Sequence, residues 1–194
     1  MTEKQNFDPN IQPLSRTQIL IAMGVTALLL LIVSKLWLQF GNFALLPVQF
    51  TITALLKGFA VALTIAIASW VVYRIWSAYR RSANFYLELV LKPLNWADLI
   101  WVGLLPGLSE ELLFRGVMLP AFGLNLAAVI VSSLCFGVLH LSGTEQWPYV
   151  IWATAVGFLL GCSALYTGNL LVPIVAHVIT NLFSSYFWKW EHSR

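Results

Sequence analysis

The chain has 194 residues, of which 59% are hydrophobic and only 10% are charged, and its mean hydropathy is +0.80. Soluble domains carry about 25% charged residues, so this composition excludes a water-soluble globular protein and predicts a polytopic helical membrane protein. The net charge of +3 comes mostly from basic residues in the loops between apolar runs, where such residues help to set the orientation of a protein in the membrane. Nucleic acid is therefore not expected as a partner.

The N-terminal half begins with a polar segment and continues with two apolar runs. Residues 1–16 contain two prolines and are predicted to form a disordered tail. They lack the basic segment directly before a short apolar run that a cleaved signal peptide needs. Residues 17–40 are therefore predicted to be a retained first span, and residues 51–73 a second span. Lys35 and Lys57 lie near the ends of these runs, where long side chains can reach the membrane interface.

A basic segment follows the second span and completes an N-terminal region over residues 17–94. Aromatic residues are interleaved with its basic residues, which are Arg74, Arg80, Arg81 and Lys92. This mixture is typical of an interfacial amphipathic helix. The positive-inside rule places this cluster in the cytoplasm, and six spans then place both termini in the cytoplasm as well.

The second half of the chain is predicted to form four further spans over residues 96–119, 123–140, 148–167 and 169–188. Their short connections favour antiparallel neighbours. The predicted fold is an all-α bundle of about six spans and one interfacial helix, with the functional site inside the bundle. Cys135 and Cys162 lie in separate apolar runs and are expected to be buried packing residues.

Strong polar groups inside these later apolar runs are few. A charged residue at the centre of a spanning helix costs about 2.5–3.5 kcal/mol, so such groups are expected to face the protein interior or a water-filled cavity. The polar residues at such positions are Glu110, Glu111, Arg115, His140, His177 and Asn181.

The three charges of the third span have informative spacing. Glu111 and Arg115 are four residues apart on one helix face and can form an ion pair. Glu110 points about 100° away from Glu111, so Arg115 can hold one glutamate while the other faces a cavity.

The fourth and sixth spans each carry a polar pair with the same four-residue spacing. Phe136 and His140 share a face of one helix, and His177 and Asn181 share a face of the other. His140 falls near the cytoplasmic end of its span, so either that helix extends past residue 140 or the third span is broken and its glutamates lie closer to the cytoplasm. A break at Pro106-Gly107 is the preferred prediction, because these residues precede the glutamates.

Each group alone has a structural alternative. Glu111 and Arg115 can be a structural ion pair at a helix start with Ser109 as N-cap. His140 can be an ordinary interfacial histidine, and the polar pair on the sixth span can be an interhelical clamp. Polar faces on three helices together favour a functional site.

The chemistry of this set suits proton transfer and charge stabilisation. A water activated by Glu110 is the economical nucleophile, because no serine or cysteine with an adjacent base is evident. His177 and Asn181 can donate hydrogen bonds to a developing oxyanion. A zinc site is the alternative, although the HExxH spacing is absent.

Three segments resemble the motifs of one family, the CAAX-protease and bacteriocin-processing (CPBP or Abi) intramembrane proteases. EELLFR at 110–115 resembles its EExxxR motif, FGVLH at 136–140 its FxxxH motif, and HVITN at 177–181 its HxxxN motif. The motifs occur in the expected order, and the resemblance covers about residues 95–187. It predicts a protease core over residues 95–190 and implies an intramembrane endopeptidase.

The resemblance also implies roles by analogy with type II CAAX prenyl proteases. Glu110 and His140 would activate water, and His177 with Asn181 would form the oxyanion hole. This mechanism requires no cofactor. The zinc-dependent alternative would use Glu110, His140 and His177 as ligands.

The remaining motif residues are expected to support the site. Glu111 and Arg115 would position the first glutamate, and Phe136 would pack beside it. The expected partners are membrane lipid and a peptide or membrane-protein substrate, with a role in protein or peptide maturation. A non-catalytic membrane scaffold or chaperone of the same fold and a proton-coupled transporter are the competing hypotheses.

Overall fold

The computed structural model describes residues 14–193, and these residues form helices and turns without a β-strand among them. The prediction of an all-α fold is confirmed. The α-helices are α1 (Arg16–Phe40), α2 (Ile52–Ile75), α3 (Ser77–Leu91), α4 (Leu99–Glu111), α5 (Leu119–Ala121), α6 (Leu126–Val138), α7 (Trp147–Thr167) and α8 (Leu171–His192). A π-helix over Leu112–Met118 joins α4 to α5, and short 3₁₀-helices cover Trp96–Asp98 and Thr144–Gln146.

Four helices of the described chain are long and apolar enough to cross a membrane, namely Arg16–Phe40, Ile52–Ile75, Thr144–Thr167 and Leu171–His192. They correspond to the first, second, fifth and sixth predicted spans, and the protein is a multi-pass membrane protein. The predicted fourth span is shorter than expected, because α6 has 13 residues and so extends only about 20 Å. The predicted third span is divided among α4, the π-helix and α5.

The start of α1 corrects the predicted boundary of the N-terminal tail. Residues 1–13 lie outside the described residues. Ser15 caps α1 by accepting a hydrogen bond from the backbone of Gln18, whose side chain accepts one from Ser15 in return. This reciprocal capping satisfies two donors at the helix start and begins the helix at Arg16.

The basic segment forms α3, as its composition indicates. The helix is amphipathic and buries Tyr79, Ser82, Ala83 and Leu91, while Arg81 and Asn84 are exposed. It packs mainly against α7 and α2. The placement of α3 at a membrane interface and of both termini in the cytoplasm stay predictions.

The predicted helix break at Pro106 is wrong. Helical structure continues from Leu99 to Ala121, with Pro106 inside α4. Proline lacks a backbone N–H, so Val102, four residues earlier, has no helical donor for its carbonyl. Asn181 Nδ2 on α8 supplies a donor 3.4 Å from that carbonyl oxygen.

The irregularity lies further along, in the π-helix. Ser132 Oγ on α6 donates a 2.9 Å hydrogen bond to the carbonyl of Phe114. The backbone N–H of Leu46, in the connection between α1 and α2, donates a 3.0 Å hydrogen bond to the carbonyl of Gly116. Two carbonyls of this segment therefore have donors from other parts of the chain, which favours a widened helical turn over a regular α-helix.

Both cysteines are free. Cys162 is partly buried, but Cys135 is exposed on α6, so the expectation that both are buried is wrong for Cys135. The side chain of Cys135 faces away from the bundle because Ser132, Ser133 and Phe136 occupy the buried face of α6.

Candidate functional site

A buried carboxylate lies at the centre of the polar residues. Glu111 Oε1 accepts a 2.8 Å hydrogen bond from Arg115 Nη1 and a 2.7 Å hydrogen bond from His177 Nδ1. The side chains of Glu111 and Arg115 are fully buried, and that of His177 is 6% exposed. The four-residue spacing therefore produces the expected ion pair, and it also joins that pair to α8.

The guanidinium of Arg115 is enclosed by groups from two other helices. Arg115 Nη2 donates a 2.7 Å hydrogen bond to the carbonyl of Gly157 on α7. The centre of the guanidinium lies 4.6 Å from the ring centroid of Phe136 on α6, in cation–π geometry. Arg115 Nε has no hydrogen-bond partner among residues 14–193. The Phe114 centroid lies 5.9 Å from the guanidinium centre, so the cation is matched by one carboxylate, one carbonyl and two ring faces.

Gly157 is a site residue that the sequence analysis missed. A Cβ at this position would lie 3.2 Å from Arg115 Nη2 and 3.1 Å from Phe136 Cδ1. The absence of a side chain at Gly157 therefore lets α7 approach the guanidinium without a tight Cβ contact, and its carbonyl accepts the hydrogen bond. A glycine in an apolar helix gives no local signal for this role.

Close packing of α4 against α8 brings His177 to Glu111. A Cβ at Gly107 would lie 2.5 Å from Val178 Cγ2 and 3.1 Å from the backbone nitrogen of Val178. The missing side chain at Gly107 therefore allows the two helix backbones to approach closely, as small residues do in membrane bundles. His177 is the residue before this contact and reaches Glu111 on the neighbouring helix.

His140 lies two residues after the end of α6, in a turn. Its Nδ1 is 2.8 Å from the carbonyl oxygen of Phe136. Since a carbonyl only accepts, Nδ1 carries the proton, and Nε2 of the neutral imidazole is left as a hydrogen-bond acceptor. This tautomer suits a group that accepts a proton or orients a water.

Phe136 connects the two imidazoles. Its ring centroid is 4.7 Å from that of His140 and 5.8 Å from that of His177. Phe114, on the π-helix, packs edge-on against the same ring at 5.4 Å. Phe136 is 2% exposed, so it forms an apolar partition between the buried ion pair and His140.

Glu110 differs from Glu111 in lacking an ion pair with Arg115 or His177. Oε2 of each glutamate is buried without a hydrogen-bond partner among the described residues. Burial and the nearby Glu110 carboxylate raise the pKa of Tyr86 on α3 to about 12, in that order of importance. Tyr86 is therefore a neutral phenol at neutral pH, and its hydroxyl remains a potential hydrogen-bond donor.

Tyr86 and Tyr149 are further residues that sequence reasoning missed. Their rings stack at 4.7 Å, and their centroids lie 6.5 Å and 6.1 Å from His140. The aromatic residues of this segment had suggested a membrane interface. A usable signal was the seven-residue separation of Tyr79 and Tyr86, which places both rings on one face of α3.

Asn181 lies one turn beyond His177 on α8, and its Nδ2 points to the carbonyl of Val102. Direct contacts thus join Glu111, Arg115, Phe136, His140 and His177, while Asn181 is bonded to α4. Glu145 and His192 are exposed and lie outside this set of contacts.

The described residues do not form the ligand group that the zinc alternative requires. Among residues 14–193, no three His, Cys, Asp or Glu side chains are grouped so that they could hold a metal ion. No reaction step is therefore derived through zinc.

Comparison with known proteins agrees with the sequence motifs. A segment of 96 residues, 50% of this chain, is 40% identical to "Uncharacterized protein YpbD" of Bacillus subtilis (strain 168) and covers 48% of it. A segment of 87 residues, 41% of this chain, is 32% identical to "Uncharacterized protein YyaK" of the same organism and covers 29% of it. The chain therefore matches less than half the length of either relative.

No solved structure matches the chain significantly. Residues 92–183 match the family model described as "Type II CAAX prenyl endopeptidase Rce1-like". This segment begins directly after α3 and contains every motif residue from Glu110 to Asn181. Residues 92–183 thus resemble the type II CAAX prenyl endopeptidase Rce1-like family, and the chain is a multi-pass membrane protein.

Proposed function

We propose that the chain is an intramembrane endopeptidase that hydrolyses a peptide bond with a water molecule activated by Glu110 and His140. The observation that carries the proposal is the environment of Glu110, whose Oε2 is buried without a hydrogen-bond partner among the described residues and whose carboxylate, unlike that of Glu111, is not paired with Arg115 or His177. Buried carboxylate oxygens are normally hydrogen-bonded, so this atom favours an external donor such as water or substrate.

The tautomer of His140 supports the second half of this role. With Nδ1 donating to the Phe136 carbonyl, Nε2 can accept a hydrogen bond from the same water. In the proposed step, the water oxygen bonds to the scissile carbonyl carbon and its proton passes to Glu110. The carbon–nitrogen bond then breaks, and the proton returns to the leaving amine, giving an acid and an amine.

The oxyanion formed in the first step requires donors, and α8 carries two candidates. As an imidazolium, His177 would donate from Nε2 to the oxyanion while Nδ1 donates to Glu111 Oε1. Asn181 has two N–H bonds on Nδ2, so one can contact Val102 while the other donates to the oxyanion. Each well-placed donor of this kind contributes about 10²–10³ in rate.

The substrate class follows from the family and from the surroundings of the site. The family description names a prenyl endopeptidase, and two helices that contribute to the site, α7 and α8, are long and apolar enough to cross a membrane. We propose a peptide or membrane-protein end that enters from the bilayer. A prenylated cysteine peptide is the first substrate to test, and an unprenylated membrane peptide the second.

The experiment uses the purified full chain in liposomes containing these two peptides and ¹⁸O-labelled water. Mass spectrometry should detect cleavage with one ¹⁸O in the new carboxyl group, because water is the proposed nucleophile. Glu110→Gln and His140→Gln should each lower the rate by at least about 10². Glu88→Gln is the matched control, since Glu88 is paired with Lys92 on the exposed side of α3.

Three results would contradict the proposal. Cleavage at the wild-type rate by both site variants would remove Glu110 and His140 from the reaction. Absence of cleavage by the wild-type protein, with cellular function retained by both variants, would favour a scaffold or chaperone. Proton flux through the liposomes that depends on Glu110 would favour a transporter.

A further inference from the structure

Two tyrosines flank the imidazole of His140. Tyr86 comes from α3 and Tyr149 from α7, and their ring centroids are 6.5 Å and 6.1 Å from that of His140. The two phenol rings stack on each other at 4.7 Å with an angle of 21° between their planes. They form an aromatic pair that contacts a residue with a proposed catalytic role.

His140 needs such support because it lies beyond the last turn of α6. The side-chain hydrogen bond that the structure gives it, from Nδ1 to the Phe136 carbonyl, fixes one edge of the ring. A single hydrogen bond leaves the plane of the imidazole to be fixed by packing. Three rings supply that packing: Phe136, Tyr86 and Tyr149.

The position of Tyr86 is itself fixed by other contacts of α3. Ser82 Oγ donates a 2.7 Å hydrogen bond to Gln146 Oε1, which ties α3 to the start of α7. One turn earlier, the ring of Tyr79 stacks on Tyr149 at 6.4 Å with nearly parallel planes. The face of α3 that carries Tyr79, Ser82 and Tyr86 is therefore attached to α7 at several points.

We propose that Tyr86, together with Tyr149, is a positioning residue that fixes the His140 imidazole for catalysis. Tyr86 precedes residue 92, so α3 completes the site from outside the family-matched segment. The ring carries this role, and the phenol hydroxyl does not. The kinetic part of the inference rests on the proposed peptidase function, whereas the positioning of His140 can be measured without any activity.

The experiment compares Tyr86→Ala and Tyr86→Phe in the full chain with Tyr166→Ala, which removes a 90% exposed tyrosine at the far end of α7. Carbethoxylation of the three histidines by diethyl pyrocarbonate is followed by mass spectrometry. Tyr86→Ala should raise the modification rate of His140 at least threefold. The exposed His192 should keep its rate and serves as the internal standard.

The same variants are then assayed for peptide cleavage. Tyr86→Ala should lower kcat at least tenfold and change KM less than threefold, because it affects the geometry of His140 and not substrate contacts. Tyr86→Phe keeps the ring and should retain at least a third of the wild-type kcat. If Tyr86→Ala unfolds the protein, as faster modification of the buried His177 would show, Tyr149→Phe and Tyr149→Leu provide the same ring comparison on α7.

Three outcomes would overturn the inference. An unchanged His140 modification rate in Tyr86→Ala would show that the ring does not position the imidazole. An effect confined to KM would make Tyr86 a substrate contact, and equal losses in the Phe and Ala variants would assign the role to the hydroxyl. A faster His140 modification with no cleavage by the wild-type protein would uphold the positioning and refute only the peptidase function.

Discussion

His177 on α8 donates a 2.7 Å hydrogen bond from Nδ1 to Glu111 Oε1 at the end of α4, across 66 positions of sequence. Arg115 donates to the same oxygen at 2.8 Å. Oε1 of Glu111 thus accepts hydrogen bonds from Arg115, which lies in the same continuous helical segment, and from His177 on α8. The remaining oxygen, Glu111 Oε2, is buried without a hydrogen-bond partner among residues 14–193, so the ion pair is sensitive to the loss of either member.

Glu111→Gln is expected to destabilise the protein by about 3–5 kcal/mol, because it leaves the buried Arg115 cation without its counter-charge. The measurement is unfolding of the purified protein in mixed detergent micelles at increasing fractions of sodium dodecyl sulfate. Arg115→Met should have a similar cost. The double variant should cost clearly less than the sum of the two, since no unpaired charge is then buried.

The matched control is Glu88→Gln, which removes a carboxylate with the same i, i+4 relation to a cation. The Glu88–Lys92 pair is largely exposed, with side chains 38% and 70% accessible, so its loss should change stability by less than about 1 kcal/mol. Equal costs for the two Glu→Gln variants would contradict the structural role given to Glu111.

Gly157→Ala is expected to lower both stability and activity. The added methyl group would lie 3.2 Å from Arg115 Nη2 and 3.3 Å from the backbone Cα of Ser133. Neither neighbour can move easily, because Arg115 is held by Glu111 and Ser133 is within α6. Overpacking of about 1–3 kcal/mol should exceed the gain of about 1 kcal/mol that alanine brings to a helix.

Gly24→Ala in α1 is the control for this substitution. A Cβ at Gly24 would meet nothing within 4 Å, so the helix-propensity gain should remain and stability should rise slightly or stay unchanged. Thermal unfolding in detergent compares the two variants directly. A stabilising effect of Gly157→Ala would show that α7 can move away from Arg115 at little cost.

Local spacing was sufficient to predict part of this site. The i, i+4 relation of Glu111 and Arg115 predicted their ion pair, and four of the predicted spans coincide with long apolar helices. The break expected at Pro106 did not occur, because Asn181 lies near the carbonyl that proline leaves free. Whether a helix continues past a proline depends on hydrogen-bond donors that are distant in sequence. A single sequence does not show which of these donors will lie near the free carbonyl.

The residues that were missed have the same explanation. Gly157 matters only because α7 passes against Arg115, and Tyr86 only because α3 packs beside His140. Both depend on packing between helices far apart along the chain. Their local sequences, an apolar helix and an amphipathic helix rich in aromatic residues, are compatible with many other roles and therefore do not indicate these contacts.

Ser132→Ala should cost about 1–3 kcal/mol of stability, because it leaves the buried Phe114 carbonyl of the π-helix without this donor. Ser133→Ala is the adjacent control. Ser133 Oγ donates to the Val129 carbonyl of its own helix, which keeps its regular backbone donor, so the cost should stay below about 0.5 kcal/mol. Denaturation in mixed micelles measures both, and an equal cost would refute the role of Ser132 in forming the π-helix.

Asn181 is expected to have a structural role that can be separated from its proposed catalytic role. Asn181→Ala should cost about 0.5–1.5 kcal/mol by removing the donor to the Val102 carbonyl. In a Pro106→Ala background, the restored backbone N–H replaces that donor, so the same substitution should then cost little. Peptide cleavage should fall in both backgrounds. Equal stability costs with and without Pro106 would show that this contact contributes nothing.

The contact between Arg16 and Asp98 should make stability depend on acid pH. Asp98 accepts hydrogen bonds from Arg16 Nε at 2.6 Å, from Arg16 Nη2 at 2.7 Å and from the backbone of Asn95 at 2.7 Å. The Arg16 hydrogen bonds first, and the Asn95 hydrogen bond second, lower the pKa of Asp98 to about 2. An unfolded aspartate has a pKa of about 3.9.

Because the folded pKa of Asp98 is the lower one, its contribution to stability is complete above about pH 4 and disappears as the pH falls through about 2. The test compares the thermal midpoints of the wild-type protein and Asp98→Asn from pH 6 to pH 2. The wild-type advantage should be constant down to about pH 4 and then shrink, while the other carboxylates titrate equally in both proteins. An advantage that stays constant to pH 2 would show that the charge on Asp98 does not stabilise the fold.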